Sequence, residues 1–126
     1  MHVHLVDGTY ELYRQHYGQA SKHSAPPPFA GTIGVLTSTI QLLQDGATHI
    51  GVATDHVIES FRNDLYSGYK TSEGMEPVLL EQIPILEDAL RALGVTVWAM
   101  EKYEADDALA SAVRVACEDH TVHKVF

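Results

Sequence analysis

The sequence predicts an α/β fold with a mainly parallel sheet between helical layers, and three observations carry that prediction. Four short apolar runs, Val3–Val6, His49–Thr54, Val95–Met100 and Val122–Phe126, are rich in β-branched residues and read as strands. The first three are nearly continuous in apolar character rather than alternating, as strands covered on both faces are. Each gap between the runs holds a helical repeat, which is the pattern of strand–helix–strand units. With 126 residues, 45% of them hydrophobic, the chain suffices for one domain with its own core, residues 1–126.

In chain order, the first strand ends in Asp7 and is followed by a short predicted helix over Tyr10–Tyr17. Ser21–Phe29 contains Pro26, Pro27 and Pro28 and reads as a loop, because consecutive prolines cannot continue a helix. From Thr32 to Gln44, Ile33, Leu36, Ile40 and Leu43 recur at helical spacing and are expected to face the sheet, with Gly46 as the stop. The second strand ends in Asp55 and gives way to a polar stretch with Gly68 and Gly74. Leu79, Ile83, Leu86, Leu90 and Leu93 then mark a long amphipathic helix, with Pro77 in its first turn and Pro84 bending it. The last helix begins near Glu104 and is expected to carry Leu109, Val113 and Ala116 inward and to bury Cys117. After the fourth strand the sequence stops before the loop and helix that an α/β unit supplies, so it reads as an N-terminal part of a larger domain.

Charge and composition narrow the function. Eight Lys and Arg against seventeen Asp and Glu give a net charge of −9, so a generally basic nucleic-acid surface is excluded and any such contact is local. A single cysteine excludes an internal disulfide framework, predicts no disulfide-linked partner and fits a reducing compartment, with the cytoplasm as the expected location. No apolar run is long enough for a membrane span, and no membrane partner is expected. The eight histidines include the pairs His2/His4 and His120/His123, but no further ligand at zinc spacing. Asp7-Gly8-Thr9 lacks the upstream nucleophilic Asp of a phosphatase motif, since Leu5 stands there.

In an open parallel sheet, ligands bind beyond the carboxyl ends of the strands. Asp7 and Asp55 end the first two strands, and Glu104, Asp106 and Asp107 open the helix after the third. Such acids also cap helices, but capping needs one acid per helix start. Carboxylates gathered in a cleft repel one another unless a cation neutralises them, and all-oxygen ligation selects Mg²⁺ or Mn²⁺. Arg62 and Lys70 follow Asp55 among Phe61, Tyr66 and Tyr69, the residue types that hold phosphate and stack on unpaired bases.

Leu5-Val6-Asp7-Gly8-Thr9 with Leu12-Tyr13-Arg14, Val52-Ala53-Thr54-Asp55, Phe61-Arg62, Leu65-Tyr66-x-x-Tyr69-Lys70 and Tyr103-Glu104-Ala105-Asp106-Asp107 together resemble the 5′-nuclease family of flap endonucleases and 5′–3′ exonucleases. The resemblance runs from Val3 to about Ala116. It implies a PIN-like, resolvase-like three-layer fold with a helical arch over about residues 63–84, and a helix–hairpin–helix part beyond this chain. It implies a hydrolase that cuts DNA phosphodiesters near a 5′ end or flap, in replication and repair, using two Mg²⁺ or Mn²⁺ ions. Carried over residue by residue, Asp7, Asp55, Glu104, Asp106 and Asp107 hold or orient metal, and Lys70 and Asp106 are catalytic. Arg14, Arg62, Tyr69 and Lys70 contact substrate. Glu73 stands where many members of the family have an Arg, which lowers the positive charge of the arch. The chain alone is expected to be a weak nuclease. Two other classes fit an acidic α/β pocket: a non-catalytic receiver-like Mg²⁺-binding signalling domain and a PIN-type ribonuclease.

Overall fold

The computed structural model describes residues 1–22, 24 and 27–126. Strands β1 (His2–Asp7), β2 (His49–Asp55), β3 (Thr96–Met100) and β4 (Lys124–Val125) form one parallel sheet in the order β3-β2-β1-β4. Helices α1 (Gly8–Lys22), α2 (Ala30–Gln44), α3 (Arg62–Leu65), α4 (Pro77–Leu80), α5 (Gln82–Ala92) and α6 (Ala105–Glu118) complete the fold. Parallel crossovers are right-handed. The steps from β1 to β2 and from β2 to β3 run the same way across the sheet, so α1, α2 and α5 share one face. The step from β3 to β4 runs back, which puts α6 on the opposite face, against β1, β2 and β3. The predicted three-layer α/β architecture is therefore present. A receiver domain pairs its third strand with its first, whereas β3 here pairs with β2, so the receiver-like reading is wrong.

The core lies on the α1/α2/α5 face, where Leu12, Val35, Val52, Leu79, Leu86 and Leu90 are almost entirely removed from water. Two glycines permit close approach there and within the sheet. A Cβ on Gly8 would lie 2.7 Å from Val52, so α1 can start hard against β2 only because residue 8 has none. A Cβ on Gly51 would lie 2.5 Å from the Trp98 ring, which occupies that space from the neighbouring strand.

Several expectations need correction. The first helix is longer than Tyr10–Tyr17 and runs through Ser21 and Lys22, so the loop is shorter than Ser21–Phe29. Within it, the part at His23, Ala25 and Pro26 lies outside the described residues. Helix α2 turns Thr32, Val35 and Thr39 to the core and leaves Ile33, Ile40 and Leu43 exposed; only Leu36 of the predicted face is partly buried. The reason is the tight contact with α1: a Cβ on Gly34 would meet Gln15 at 2.6 Å, and one on Gly31 would meet Leu12 at 3.0 Å. The closely packed face needs small side chains, so the larger residues mark the outer side.

Pro84 does more than bend its helix. It has no N–H to offer Leu80, and the helix is interrupted between Leu80 and Gln82. Leu93 and Val113, both expected inward, are exposed, and so is Cys117. Helix α6 presents its alanines, Ala105, Ala108 and Ala112, toward the sheet side, where Val3, Leu5, Trp98 and Met100 line an apolar groove of about 610 Å³. The fourth strand begins at Lys124, later than Val122.

Candidate active site at the carboxyl edge of the sheet

Parallel strands deliver their last residues to one edge, and that edge carries the acids. Asp55 ends β2 and is almost buried, 7% exposed. Its backbone N–H donates to Thr9 Oγ1 (2.8 Å), and its Oδ1 accepts the Ala105 N–H at the start of α6 (2.9 Å). Its Oδ2 accepts from Lys70 Nζ (2.9 Å). Glu104, 8% exposed, precedes α6 and accepts from Lys70 Nζ through Oε1 (3.2 Å). The other oxygen, Oε2, accepts from Arg62 and from the Tyr69 hydroxyl (3.2 Å).

Asp107, one turn into α6, has both oxygens engaged. Arg62 donates to it through two nitrogens, at 2.8 and 2.9 Å, and the Glu104 N–H donates at 2.9 Å, which also caps the helix. The Arg62 guanidinium lies over the Phe61 ring, 4.6 Å from its centroid. Asp7 receives the Tyr10 N–H at 2.9 Å, and Asp106 is exposed at the N-terminus of α6.

The electrostatics follow the partners. Burial raises the Asp7 carboxyl above its ordinary range; the Tyr10 N–H opposes this, while the charges of Asp55 and Asp106 add to it. The Arg62 guanidinium, helped by the Glu104 N–H, draws Asp107 down to about 2. Burial works against the Lys70 ammonium, but the hydrogen bonds and charges of Asp55 and Glu104 outweigh it and hold the group above the usual lysine value. Arg62 is raised by its hydrogen bonds to Asp107 above all.

Of the residues expected at the site, Asp55, Glu104, Asp107, Arg62, Tyr69 and Lys70 form one hydrogen-bonded cluster, and Asp7 lies close enough to Asp55 and Asp106 for their charges to help raise its carboxyl. Arg14 is not in it: it pairs with Glu11 on the exposed side of α1 (2.5 Å). The supports went unread in the sequence. Asn63 bonds the Lys70 carbonyl and the Ser60 N–H, and Glu59 accepts from the N–H and hydroxyl of Ser72 (both 2.8 Å), so the stretch around Lys70 is tied down on both sides. Thr9, directly after Asp7-Gly8, and Phe61, directly before Arg62, are supports that stand close to a site residue in sequence.

The donor set is all carboxylate oxygen, as a hard divalent cation requires. Among the described residues no three His, Cys, Asp or Glu side chains already close into a metal cage. The Lys70 ammonium instead spans Asp55 and Glu104, so these two carboxylates are arranged to share one cation. No helix among the described residues is long and apolar enough to cross a membrane.

Residues 2–126 match the sequence profile of the 5′-3′ exonuclease, N-terminal resolvase-like domain. The chain belongs to this family. It is 31% identical over 131 residues to a 5′-3′ exonuclease of Mycoplasma pneumoniae, covering 97% of this chain and 44% of that protein. With DNA polymerase I of Mycobacterium leprae it shares 32% identity over 112 residues, 85% of this chain and 12% of the polymerase. A structure of bacteriophage T5 5′-exonuclease with bound divalent metal ions (zinc) superposes with a TM-score of 0.61 at 25% identity, covering 99% of this chain and 47% of that one. A T5 flap endonuclease complex with DNA and metal ions gives 0.57 at 25% identity, over 99% of this chain and 47% of that one. The chain thus spans less than half the length of these relatives.

Proposed function

We propose that the carboxyl edge of the sheet is the active site of a metal-dependent nuclease that hydrolyses DNA phosphodiesters at or near 5′ ends and flaps. The observation that supports this best is the meeting of acids from the end of β2 and the start of α6 with one lysine and one arginine, Lys70 and Arg62, in a single cluster that has Asp7 beside it. Asp7, Asp55, Glu104 and Asp106 would hold Mg²⁺ or Mn²⁺, two ions in the complete site, directly or through water. Bound ions of this kind lower the pKa of water to give a nucleophile and stabilise the leaving oxygen. Asp107, whose oxygens are committed to Arg62 and the Glu104 N–H, would orient rather than ligate.

The protein's own residues do the positioning. Lys70 would exchange a carboxylate partner for an oxygen of the scissile phosphate, a transfer of one ammonium between two anions that lie close together. Arg62, fixed by Asp107 and Phe61, would neutralise a neighbouring phosphate, and the half-exposed Tyr69 ring would stack on an unpaired base. Arg14, exposed on α1, would reach the backbone farther along. Residues 63–84, which carry Lys70 and Tyr69, would serve as the arch beneath which a 5′ strand passes. With a net charge of −9, contact with DNA would depend on such local basic groups.

The test is cleavage of 5′-labelled flap and nicked DNA at low salt, with Mn²⁺ or with chelator, beside single-stranded RNA. Slow release of short 5′ products that needs Mn²⁺ and disappears in Asp106→Asn and Lys70→Ala is the expected result. Cleavage of the RNA in place of the DNA would favour the PIN-type ribonuclease.

A further inference from the structure

We propose that Glu87, a residue with no place in the acidic cluster, is the positioning residue that fixes the end of β2 and so the depth at which Asp55 stands. Glu87 lies on α5 and is 2% exposed. Its Oε1 accepts from the Thr54 hydroxyl at 2.6 Å, and its Oε2 lies 2.8 Å from His56 Nδ1. Thr54 and His56 flank Asp55. Side chains alternate along a strand, so these two reach toward α5 while Asp55 faces α6 and Lys70. One carboxylate thereby grips residues on both sides of the proposed ligand.

The grip matters because β2 loses a neighbour there. Its pairing with β1 ends at Asp7 and Ala53, so beyond Ala53 only β3 continues the ladder on that stretch. A buried carboxylate is costly, and a leucine in its place would pack against the core with no charge to desolvate. Retaining Glu87 is explained by what it holds. Glutamine can hold the same pair, accepting from Thr54 through its oxygen and donating to His56 through its amide nitrogen.

The experiment uses the 126-residue chain with Glu87→Leu and Glu87→Gln. The first readout is hydrogen exchange at the Ala105 amide, which donates to Asp55 Oδ1 and reports the placement of that carboxylate without any metal. In Glu87→Leu its protection is expected to fall about tenfold more than that of α2 amides such as Leu42, and to return in Glu87→Gln. A parallel fall at Ala105 and in α2 would reduce Glu87 to a structural residue and overturn the inference. Should Glu87→Leu not fold, Thr54→Val and His56→Ala each cut one tie, and unchanged Ala105 protection in both would overturn it equally.

The second readout rests on the metal-site reading above. The Kd for Mn²⁺ is expected to rise about tenfold in Glu87→Leu and to stay near wild type in Glu87→Gln, as for other groups that orient ligands. Absence of Mn²⁺ binding by the wild-type chain would retract the metal site and leave the Ala105 exchange to decide the role of Glu87.

Discussion

The acidic edge has two halves that solve the same electrostatic problem differently. Asp55, Glu104 and Asp107 share two resident cations, Lys70 and Arg62, and every carboxylate oxygen has a donor. Among the described residues Asp7 and Asp106 have no such partner; burial and the neighbouring negative charges raise the Asp7 carboxyl. The first half is a preorganised scaffold that contributes to folding. The second remains repulsive and gains most from an added cation. A site built this way gives up stability at one place to keep affinity there.

The sharpest way to break the contrast is to strip the satisfied half of its guanidinium. Arg62→Ala leaves Glu104, which is buried, and Asp107 without their shared cation, and its fall in Tm is expected to exceed that of any other single substitution at this edge. A thermal scan checks it. Lys70→Met keeps the apolar stem but removes the ammonium from Asp55 and Glu104, and should cost about 1–2 kcal/mol without metal. Chemical unfolding with and without Mn²⁺ should show that cost shrink when the ion is present. Lys70 stands in a polar stretch after Gly68 and Tyr69, yet its ammonium is held by two nearly buried carboxylates, so its loss is expected to cost stability.

A smaller effect is visible in acid. Asp107 titrates near 2 when folded, against about 3.9 in an unfolded chain. A depressed carboxylate contributes stability that is complete above the unfolded value and lost as pH falls through the folded one. Between pH 4 and pH 2, then, the urea midpoint of the wild type should fall more steeply than that of Asp107→Asn. The smallest effect has the opposite sign. Ionised Asp7 costs stability at neutral pH because its folded pKa is raised, and the cost is relieved as pH falls through that value. Asp7→Asn should therefore raise Tm slightly at pH 7 without metal, while reducing the rise that Mn²⁺ produces.

Which parts of this were readable in the sequence follows from what each signal measures. Strand ends were readable because a parallel strand is a run of apolar residues that stops at a polar one: Asp7 and Asp55 close β1 and β2 as expected. Their convergence followed from topology alone. The inward face of α2 was misread because large apolar residues usually mark the buried side, and here Gly31 and Gly34 bring α1 too close for them. The pairing of Lys70 with Asp55 spans fifteen positions, and that of Arg62 with Asp107 spans forty-five. No local pattern encodes such distances. Glu87 and Gln82 sit inside an amphipathic helix where a polar letter reads as solvent-facing, yet both are buried, Gln82 holding the N–H and hydroxyl of Thr32 (both 3.1 Å).

The proposed divalent-cation site, in which the uncompensated Asp7 and Asp106 act together with Asp55 and Glu104, is tested most directly by Mn²⁺ binding to the 126-residue chain. Calorimetric titration at pH 7 should give saturable binding at millimolar Mn²⁺ or below, with a matching rise in Tm, because the ion binds only the folded state. Asp7→Asn combined with Asp106→Asn should abolish it while the fold persists. A wild-type chain that binds no Mn²⁺, or a double variant that binds it equally well, would contradict the account.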